Sequence, residues 1–201
     1  IGHASHPEVE GTMGRIRGGV HLVTNIEDVN RLVVRDQEKV AYVTQTTLSV
    51  DDTREIIAAL KGKFPKIIGP DVRDICYATQ NRQQAVKNIA AEVDMMLVVG
   101  AQNSSNSNRL REIGDELGVP SILIDDANSL NLTWLDGSKT IGISAGASAP
   151  EELVEELIER LRSHFIIELE EFQGVEENVQ FKLPPEISNA QLESASLSNG
   201  L

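Results

Sequence analysis

Cysteine and aromatic residues are scarce in this chain, and both shortages restrict its structure. A single cysteine, Cys76, excludes an internal disulfide and any multi-cysteine zinc site built by this chain alone. Aromatic residues make up only 3% of the 201 positions, so the core has to be built from Ile, Val, Leu and Ala. Because 40% of the residues are hydrophobic, the chain can still bury a core, which argues against wholesale disorder.

Positive charge is also in short supply, with 18 basic against 31 acidic residues and a formal net charge of -13. A negative field repels phosphate backbones, so nucleic acid and anionic membranes are poor partners. No apolar run reaches the length of a membrane span and no signal peptide opens the chain, which predicts a cytoplasmic location. The chain opens at Ile1 without a Met, so we expect either a preceding N-terminal portion or processing.

Apolar strands alternate with amphipathic helices along the chain, which predicts an α/β fold of small lobes, each a parallel sheet flanked by helices. Strands are predicted at Val20–Val23, Val40–Thr44, Lys66–Ile68, Met95–Val99, Ser121–Ile124 and Thr140–Ser144. Helices are predicted to start at a cap on Asn25, at Asp51 or Asp52, at Thr79 or Gln80, before Leu110, and at Glu151.

The segment Gly69–Arg73 is a candidate boundary between two lobes, at residues 1–70 and 71–163. A C-terminal segment is expected at 164–187, with a possible last strand at Val179–Leu183. Residues 188–201 form a polar tail that we expect to be disordered.

Hydroxyl and amide side chains crowd the segment GAQNSSNSN, Gly100–Asn108, which connects an apolar strand to a helix. A helix N-terminus favours an anion through its free N–H groups and its dipole, and Ser104, Ser105 and Asn106 would add donors. Ser and Asn are also preferred helix caps, so capping alone is the alternative. Because a cap needs one such residue and six lie between positions 103 and 108, we favour anion binding.

Two further polar turns follow predicted strands, at Gln45–Ser49 and Ser144–Ser148. Ligands of parallel α/β sheets bind at the carboxyl ends of the strands, so Thr46, Thr47, the Ser/Asn turn and Ser148 are predicted to converge on one ligand. Separate capping roles remain the alternative. The spacing matches neither the Walker loop nor the GxGxxG fingerprint, which disfavours NTP and NAD.

His6, Glu8 and Cys76 are the other candidate site residues. A histidine can hold an anion and a nearby carboxylate can act as an acid, although a surface loop containing both is ordinary. Cys76 lies just ahead of a predicted helix, where a thiolate is stabilised. It is either a small buried apolar residue, a nucleophile or a cluster ligand, and spacing alone does not decide between these roles.

Several unusual segments occur together in one order. They are HPEVEGTMG at His6–Gly14, TQTTLSVDDT at Thr44–Thr53, DICYATQNRQ at Asp74–Gln83, NSSNSNRL at Asn103–Leu110, AGASAP at Ala145–Pro150 and VEENVQF at Val175–Phe181. Together they resemble the 4-hydroxy-3-methylbut-2-enyl diphosphate reductase family, also called LytB/IspH, from Ile1 to about Ile187.

The resemblance implies the last step of the methylerythritol phosphate route to isoprenoids. In that step an allylic alcohol diphosphate loses its hydroxyl to give isopentenyl and dimethylallyl diphosphate. It further implies three α/β lobes around a 4Fe-4S cluster that has three cysteine ligands. The expected electron donor is of the ferredoxin or flavodoxin type.

Carried over by position, the resemblance implies Glu8 as proton donor, Thr46 as a partner near the substrate hydroxyl, and Cys76 as a cluster ligand. The residues implied to hold the diphosphate are His6, Ser104, Ser105, Asn106 and Ser148. Because there is no second cysteine, we expect this polypeptide alone neither to hold a stable cluster nor to turn over. The alternatives are a non-catalytic diphosphate-binding module and a transferase that uses Cys76 as nucleophile.

Overall fold

Three parallel strands form the sheet of this protein, as a computed structural model that describes residues 1–175, 177 and 179 shows. They are β1 (Met95–Val99), β2 (Ser121–Ile124) and β3 (Ile141–Ala145), in the order β2-β1-β3. All five residues of the central strand β1 are apolar and buried, which is the pattern of a parallel strand covered on both faces. The predicted α/β fold class is confirmed, and β3 is displaced from its predicted position by one residue.

Six α-helices accompany these strands in the described part of the chain. They are α1 (Pro7–Arg15), α2 (Ile26–Arg31), α3 (Val50–Lys63), α4 (Tyr77–Ala90), α5 (Ser105–Glu116) and α6 (Glu151–His164). Short 3-10 turns lie at Asp71–Asp74, Ala127–Ser129 and Leu132–Leu135. None of the helices in the described residues combines the length and the apolar character needed to cross a bilayer.

The two faces of the sheet bury separate apolar clusters. On one face Leu97 and Val99 pack with Leu157 of α6. On the other face Met96 packs with α4 and α5, where the main contact residues are Val86, Leu110 and Ile113. Because successive side chains of a strand point to opposite faces, the apolar run of β1 supplies both clusters. This packing fixes the N-terminus of α5 at the carboxyl end of β1.

The strands predicted at Val20–Val23, Val40–Thr44 and Lys66–Ile68 are not regular strands, and this part of the prediction is wrong. Within residues 1–70, all of which are described, the ladder is reduced to one parallel bridge, Ala41 to Ile68. A few backbone hydrogen bonds connect these extended segments, among them Gly2 N–H to Val23 O at 3.1 Å and Tyr42 N–H to Ile68 O at 2.9 Å. Their apolar residues nonetheless pack with α2 and α3 in one cluster.

Helix starts also differ from the predictions. The cap of α3 is Ser49, whose Oγ accepts the Asp52 N–H at 3.2 Å, and neither Asp51 nor Asp52 is the cap. Helix α4 begins at Tyr77, ahead of the predicted Thr79 or Gln80. Helix α1 has no buried residue, so the sequence has no apolar periodicity from which the helix could be predicted. The predicted strand Val179–Leu183, apart from Val179, and the predicted tail 188–201 lie outside the described residues.

Candidate functional site

The carboxylate of Glu8 is held by Thr46, a residue 38 positions away. The Thr46 N–H lies 3.1 Å from each carboxylate oxygen, and the Thr46 hydroxyl donates to Oε2 at 3.0 Å. Glu8 occupies the first turn of α1, whose start is favoured by Pro7 at its first position. Both side chains are half-buried, so the structure joins two predicted site residues in one partly exposed contact.

The imidazole of His6 caps α1. Its Nδ1 accepts the Glu8 N–H at 3.3 Å, so the proton of the neutral ring resides on Nε2. An Nε2–H group is a donor, which is the property that an anion requires. Among the described residues, this ring bonds to its own helix and not to the Ser/Asn turn.

Cys76 lies beside Thr46 because the backbone of this loop is tied to the preceding extended segment. The Cys76 N–H donates to the Thr46 carbonyl at 3.0 Å, and the Asp74 carboxylate accepts the Thr44 N–H at 3.1 Å. The thiol occupies the N-cap position of α4 and is exposed. The structure therefore places the backbone of Cys76 against that of Thr46, the residue that binds the Glu8 carboxylate.

The Ser/Asn turn forms the start of α5. Helix capping explains the role of only some of its polar side chains. Ser104 is the N-cap, and its Oγ accepts the Ser107 N–H at 3.3 Å. Asn106 is only 6% exposed, yet neither its Oδ1 nor its Nδ2 has a hydrogen-bond partner among the described residues. Leaving such a buried group unpaired costs about 1–3 kcal/mol, so a polar ligand that paired with it would gain that energy.

Gln45 joins the first polar turn to α5, and the sequence analysis did not single it out. Its Nε2 donates to Thr47 Oγ1 at 2.9 Å and to Ser105 Oγ at 3.3 Å, while its Oε1 accepts the His3 N–H at 3.0 Å. The side chain is only 2% exposed. The first two polar turns therefore meet, and Ser105 is the point of contact. A polar residue directly after an extended apolar segment was the only sequence signal for Gln45.

The third polar turn is bonded to the carboxyl end of β1. The Gly146 N–H donates to the carbonyl of Val99, the last residue of β1, at 2.8 Å. Arg82 donates from Nε to the Ala145 carbonyl at 3.1 Å and brings a guanidinium to this turn, another residue that the sequence analysis missed. Ser148 follows in the same turn and is exposed. In the described part of the chain its side chain makes no hydrogen bond to the other candidates.

A groove of about 800 Å³ is lined by residues between Ile1 and Ile67, and Glu8 is one of them. Its wall includes apolar side chains of α1, among them Val9 and Met13, and it also includes Thr44 and Gln45. The Ser/Asn turn, Cys76 and Ser148 do not line it. Of the candidate site residues, Glu8 is the one that lines this groove.

The donor atoms of this chain do not fit a complete iron–sulfur cluster. Such clusters take about four cysteine ligands, or three when one iron stays open. The sequence has one cysteine, and the described residues contain no group of three or more His, Cys, Asp or Glu side chains able to hold a metal ion. Cys76 can supply one ligand at most.

Comparison with known proteins gives one consistent result. The sequence model described as "LytB protein" matches residues 1–162. The "4-hydroxy-3-methylbut-2-enyl diphosphate reductase 1" of Rhodopseudomonas palustris is 60% identical over 190 residues, which is 94% of this chain and 62% of the relative. The enzyme named "4-hydroxy-3-methylbut-2-enyl diphosphate reductase" from Zymomonas mobilis is 53% identical over 99% of this chain and 58% of its own length.

Solved structures agree with the sequence relatives. The "E-1-hydroxy-2-methyl-but-2-enyl-4-diphosphate reductase" of Plasmodium falciparum superposes with a TM-score of 0.87 at 34% identity, over 97% of this chain and 62% of that protein. The chain thus spans about three-fifths of the length of the curated relatives it matches.

Proposed function

The chain belongs to the LytB protein family, and from that premise we propose that it carries the diphosphate-binding and proton-donating residues of a 4-hydroxy-3-methylbut-2-enyl diphosphate reductase. In the proposed reaction the allylic C–O bond breaks and two electrons and two protons enter. Isopentenyl or dimethylallyl diphosphate and water leave. The names of the relatives support this choice of substrate.

The observation that carries the diphosphate assignment is the buried amide of Asn106, which has no hydrogen-bond partner within the described part of the chain. It lies in the first turn of the 12-residue helix α5, where free N–H groups and the dipole favour a negative ligand. The hydroxyls of Ser104, Ser105 and Ser148 and the Nε2–H of His6 would add donors. Because the net charge is -13, local donors of this kind are needed to hold a polyanion.

Glu8 is the proposed proton donor to the departing hydroxyl. The contacts from Thr46 hold the carboxylate in one direction, so a substrate hydroxyl placed beside Thr46 would meet a fixed acid. General acid catalysis needs the acid within hydrogen-bond distance of the departing hydroxyl, and a hydroxyl bound beside Thr46 would lie at that distance from Glu8. In this proposal Thr46 orients the acid and also binds the reacting hydroxyl.

Cys76 is proposed as one ligand of a 4Fe-4S cluster, which would supply the electrons when bound. The single cysteine means that the other ligands would come from outside this sequence. We assign the source of the electrons to a protein of the ferredoxin or flavodoxin type.

The lone cysteine also supports a second candidate function, a non-catalytic module that binds a diphosphate and carries out no reduction. The coding sequence around this chain separates the two candidates. Two further cysteines in the same reading frame would favour the reductase.

Calorimetric titration of the full chain with isopentenyl diphosphate tests the diphosphate site. The variant Asn106→Ala is expected to bind roughly 10- to 100-fold more weakly, because a hydrogen bond to a charged group contributes about 1.5–3 kcal/mol. Asn88→Ala is the matched control, since Asn88 is an exposed amide in the last turn of α4. Equal affinities of the Asn106 variant and the wild type would rule out this assignment.

A further inference from the structure

Ser107 occupies a slot between the turns that follow β1 and β3. Its side chain is only 1% exposed. A Cβ added to Gly100 or to Gly146 would lie less than 3.0 Å from Ser107 Oγ, closer than real Cβ atoms approach other atoms. Glycine at both positions therefore lets the serine side chain enter between the two turns.

The hydroxyl oxygen of Ser104 is fully used as an acceptor, and Ser107 alone is responsible. A hydroxyl has two acceptor lone pairs and one donor proton. Ser107 donates to Ser104 Oγ twice, from its N–H at 3.3 Å and from its own Oγ at 3.0 Å. The Ser104 N–H is engaged as well, since it donates to the Ala101 carbonyl at 2.9 Å. Among the residues that the structure describes, the hydroxyl proton of Ser104 has no acceptor.

We propose that Ser107 is a positioning residue that makes Ser104 a fixed donor toward the bound diphosphate; this inference rests on the function proposed above. A diphosphate oxygen is attracted by donors and repelled by lone pairs. With both lone pairs occupied by Ser107, the Ser104 hydroxyl presents its proton before the ligand arrives. Preorganised donors of this kind avoid the free-energy cost of reorientation on binding. Ser107 itself is buried and acts only through Ser104.

A double-mutant cycle with inorganic pyrophosphate tests this role. Calorimetry is carried out on the full chain and on Ser107→Ala, Ser104→Ala and the double variant. Ser107→Ala is expected to bind pyrophosphate roughly tenfold more weakly, within the range of a hydrogen bond to a charged group. The double variant is expected to bind no more weakly than Ser104→Ala, because the effect of Ser107 passes through the Ser104 hydroxyl.

Ser121 provides a matched control at the opposite end of the sheet. Its hydroxyl is also packed against a glycine, because a Cβ on Gly114 would lie less than 3.0 Å from it, and it donates to the Val119 carbonyl at 2.8 Å. Ser121→Ala is expected to leave pyrophosphate affinity unchanged. If Ser107→Ala does not fold, Ser107→Cys fills the slot with a weaker donor and is taken through the same cycle with the same expected coupling.

The outcomes separate this inference from the function on which it rests. If the wild-type chain does not bind pyrophosphate, both the diphosphate site and the role of Ser107 are wrong. If the wild type binds and Ser107→Ala binds equally well, only the positioning role is overturned. The positioning role is also overturned if Ser107→Ala lowers the pyrophosphate affinity of the Ser104→Ala variant as much as it lowers that of the wild type. Ser107 would then act on the fold and not through Ser104.

Discussion

Gly146 is one of several glycines at which an added side chain would collide with a neighbouring side chain. A Cβ added at this position would lie less than 3.0 Å from Ser107 Oγ, and Ser107 is only 1% exposed. We predict that Gly146→Ala destabilises the protein by about 1–3 kcal/mol, the usual cost of overpacking a buried site. Urea unfolding followed by circular dichroism measures this change.

Gly62→Ala is the control for that substitution. It should change the free energy of unfolding in the opposite direction. Gly62 lies in the last turn of α3, and an added Cβ would meet no atom within 4 Å. Replacing a helical glycine by alanine is expected to stabilise the chain by about 0.5–1 kcal/mol. If Gly146→Ala proved as stable as the wild type, the tight contact between the two turns would be wrong.

At the scale of secondary-structure elements, Asp94 ties the end of the α4–β1 connection to the start of β3. Its Oδ2 accepts the Thr140 N–H at 2.9 Å, the Lys139 N–H at 2.8 Å and the Thr140 hydroxyl at 3.0 Å. The backbone N–H of Thr140, then that of Lys139, and then the Thr140 hydroxyl hold the pKa of Asp94 below its ordinary value. The folded state therefore favours the ionised carboxylate.

This arrangement predicts a pH-dependent effect of Asp94→Asn. The pKa of Asp94 is lower in the folded state than in the unfolded state. The carboxylate therefore stabilises the fold fully at pH values above the pKa of the unfolded state, and this stabilisation is lost as the pH falls through the pKa of the folded state. The variant should be less stable than the wild type at pH 7, and the difference should shrink below about pH 4, near the unfolded pKa of aspartate.

Urea unfolding between pH 7 and pH 3 measures the difference. The control is Asp136→Asn, an exposed aspartate whose side chain makes no hydrogen bond in the described part of the chain. A stability difference for Asp94→Asn that stayed constant over this range would contradict the charge-based explanation.

The elements show where sequence patterns suffice. Strands β1 and β2 have their predicted bounds, and β1 shows the continuous apolar run of a parallel strand that is buried on both faces. The segments predicted as strands in residues 1–70 are apolar and packed as well, but their pairing is limited to isolated bonds. Apolar character predicts burial correctly and cannot show whether a ladder forms. Helix α1 depends on its His6 cap and on Pro7, which no periodicity reveals.

The candidate site shows which side-chain contacts the sequence could predict and which it could not. Topology alone predicted that the polar turns lie together, and Ser105 does meet Thr47, at 3.2 Å. The contact between Glu8 and Thr46 could not be derived from spacing, since it joins residues 38 positions apart, although both residues were candidates from the sequence. Gln45 and Ser107 were missed because their importance depends on which side chains meet in three dimensions.

At the scale of the whole molecule, the single thiol limits which metal cluster the chain can hold. We predict that anaerobic purification and reconstitution with iron and sulfide give no stoichiometric cluster absorbance, because one cysteine cannot hold a cluster that needs at least three ligands. Cys76→Ser should give the same spectrum as the wild type. A full and stable cluster on this polypeptide would show that the ligand assignment is wrong.

The central claim is that the chain binds an allylic diphosphate at the N-terminus of α5 and the turn after β3. Titration of the isotope-labelled chain with dimethylallyl diphosphate, followed by amide chemical shifts in NMR, tests it most directly. We predict saturable shifts that are largest at the amides of Ser105, Asn106 and Gly146–Ser148. The absence of saturable shifts, or shifts confined to the groove within residues 1–70, would contradict the claim.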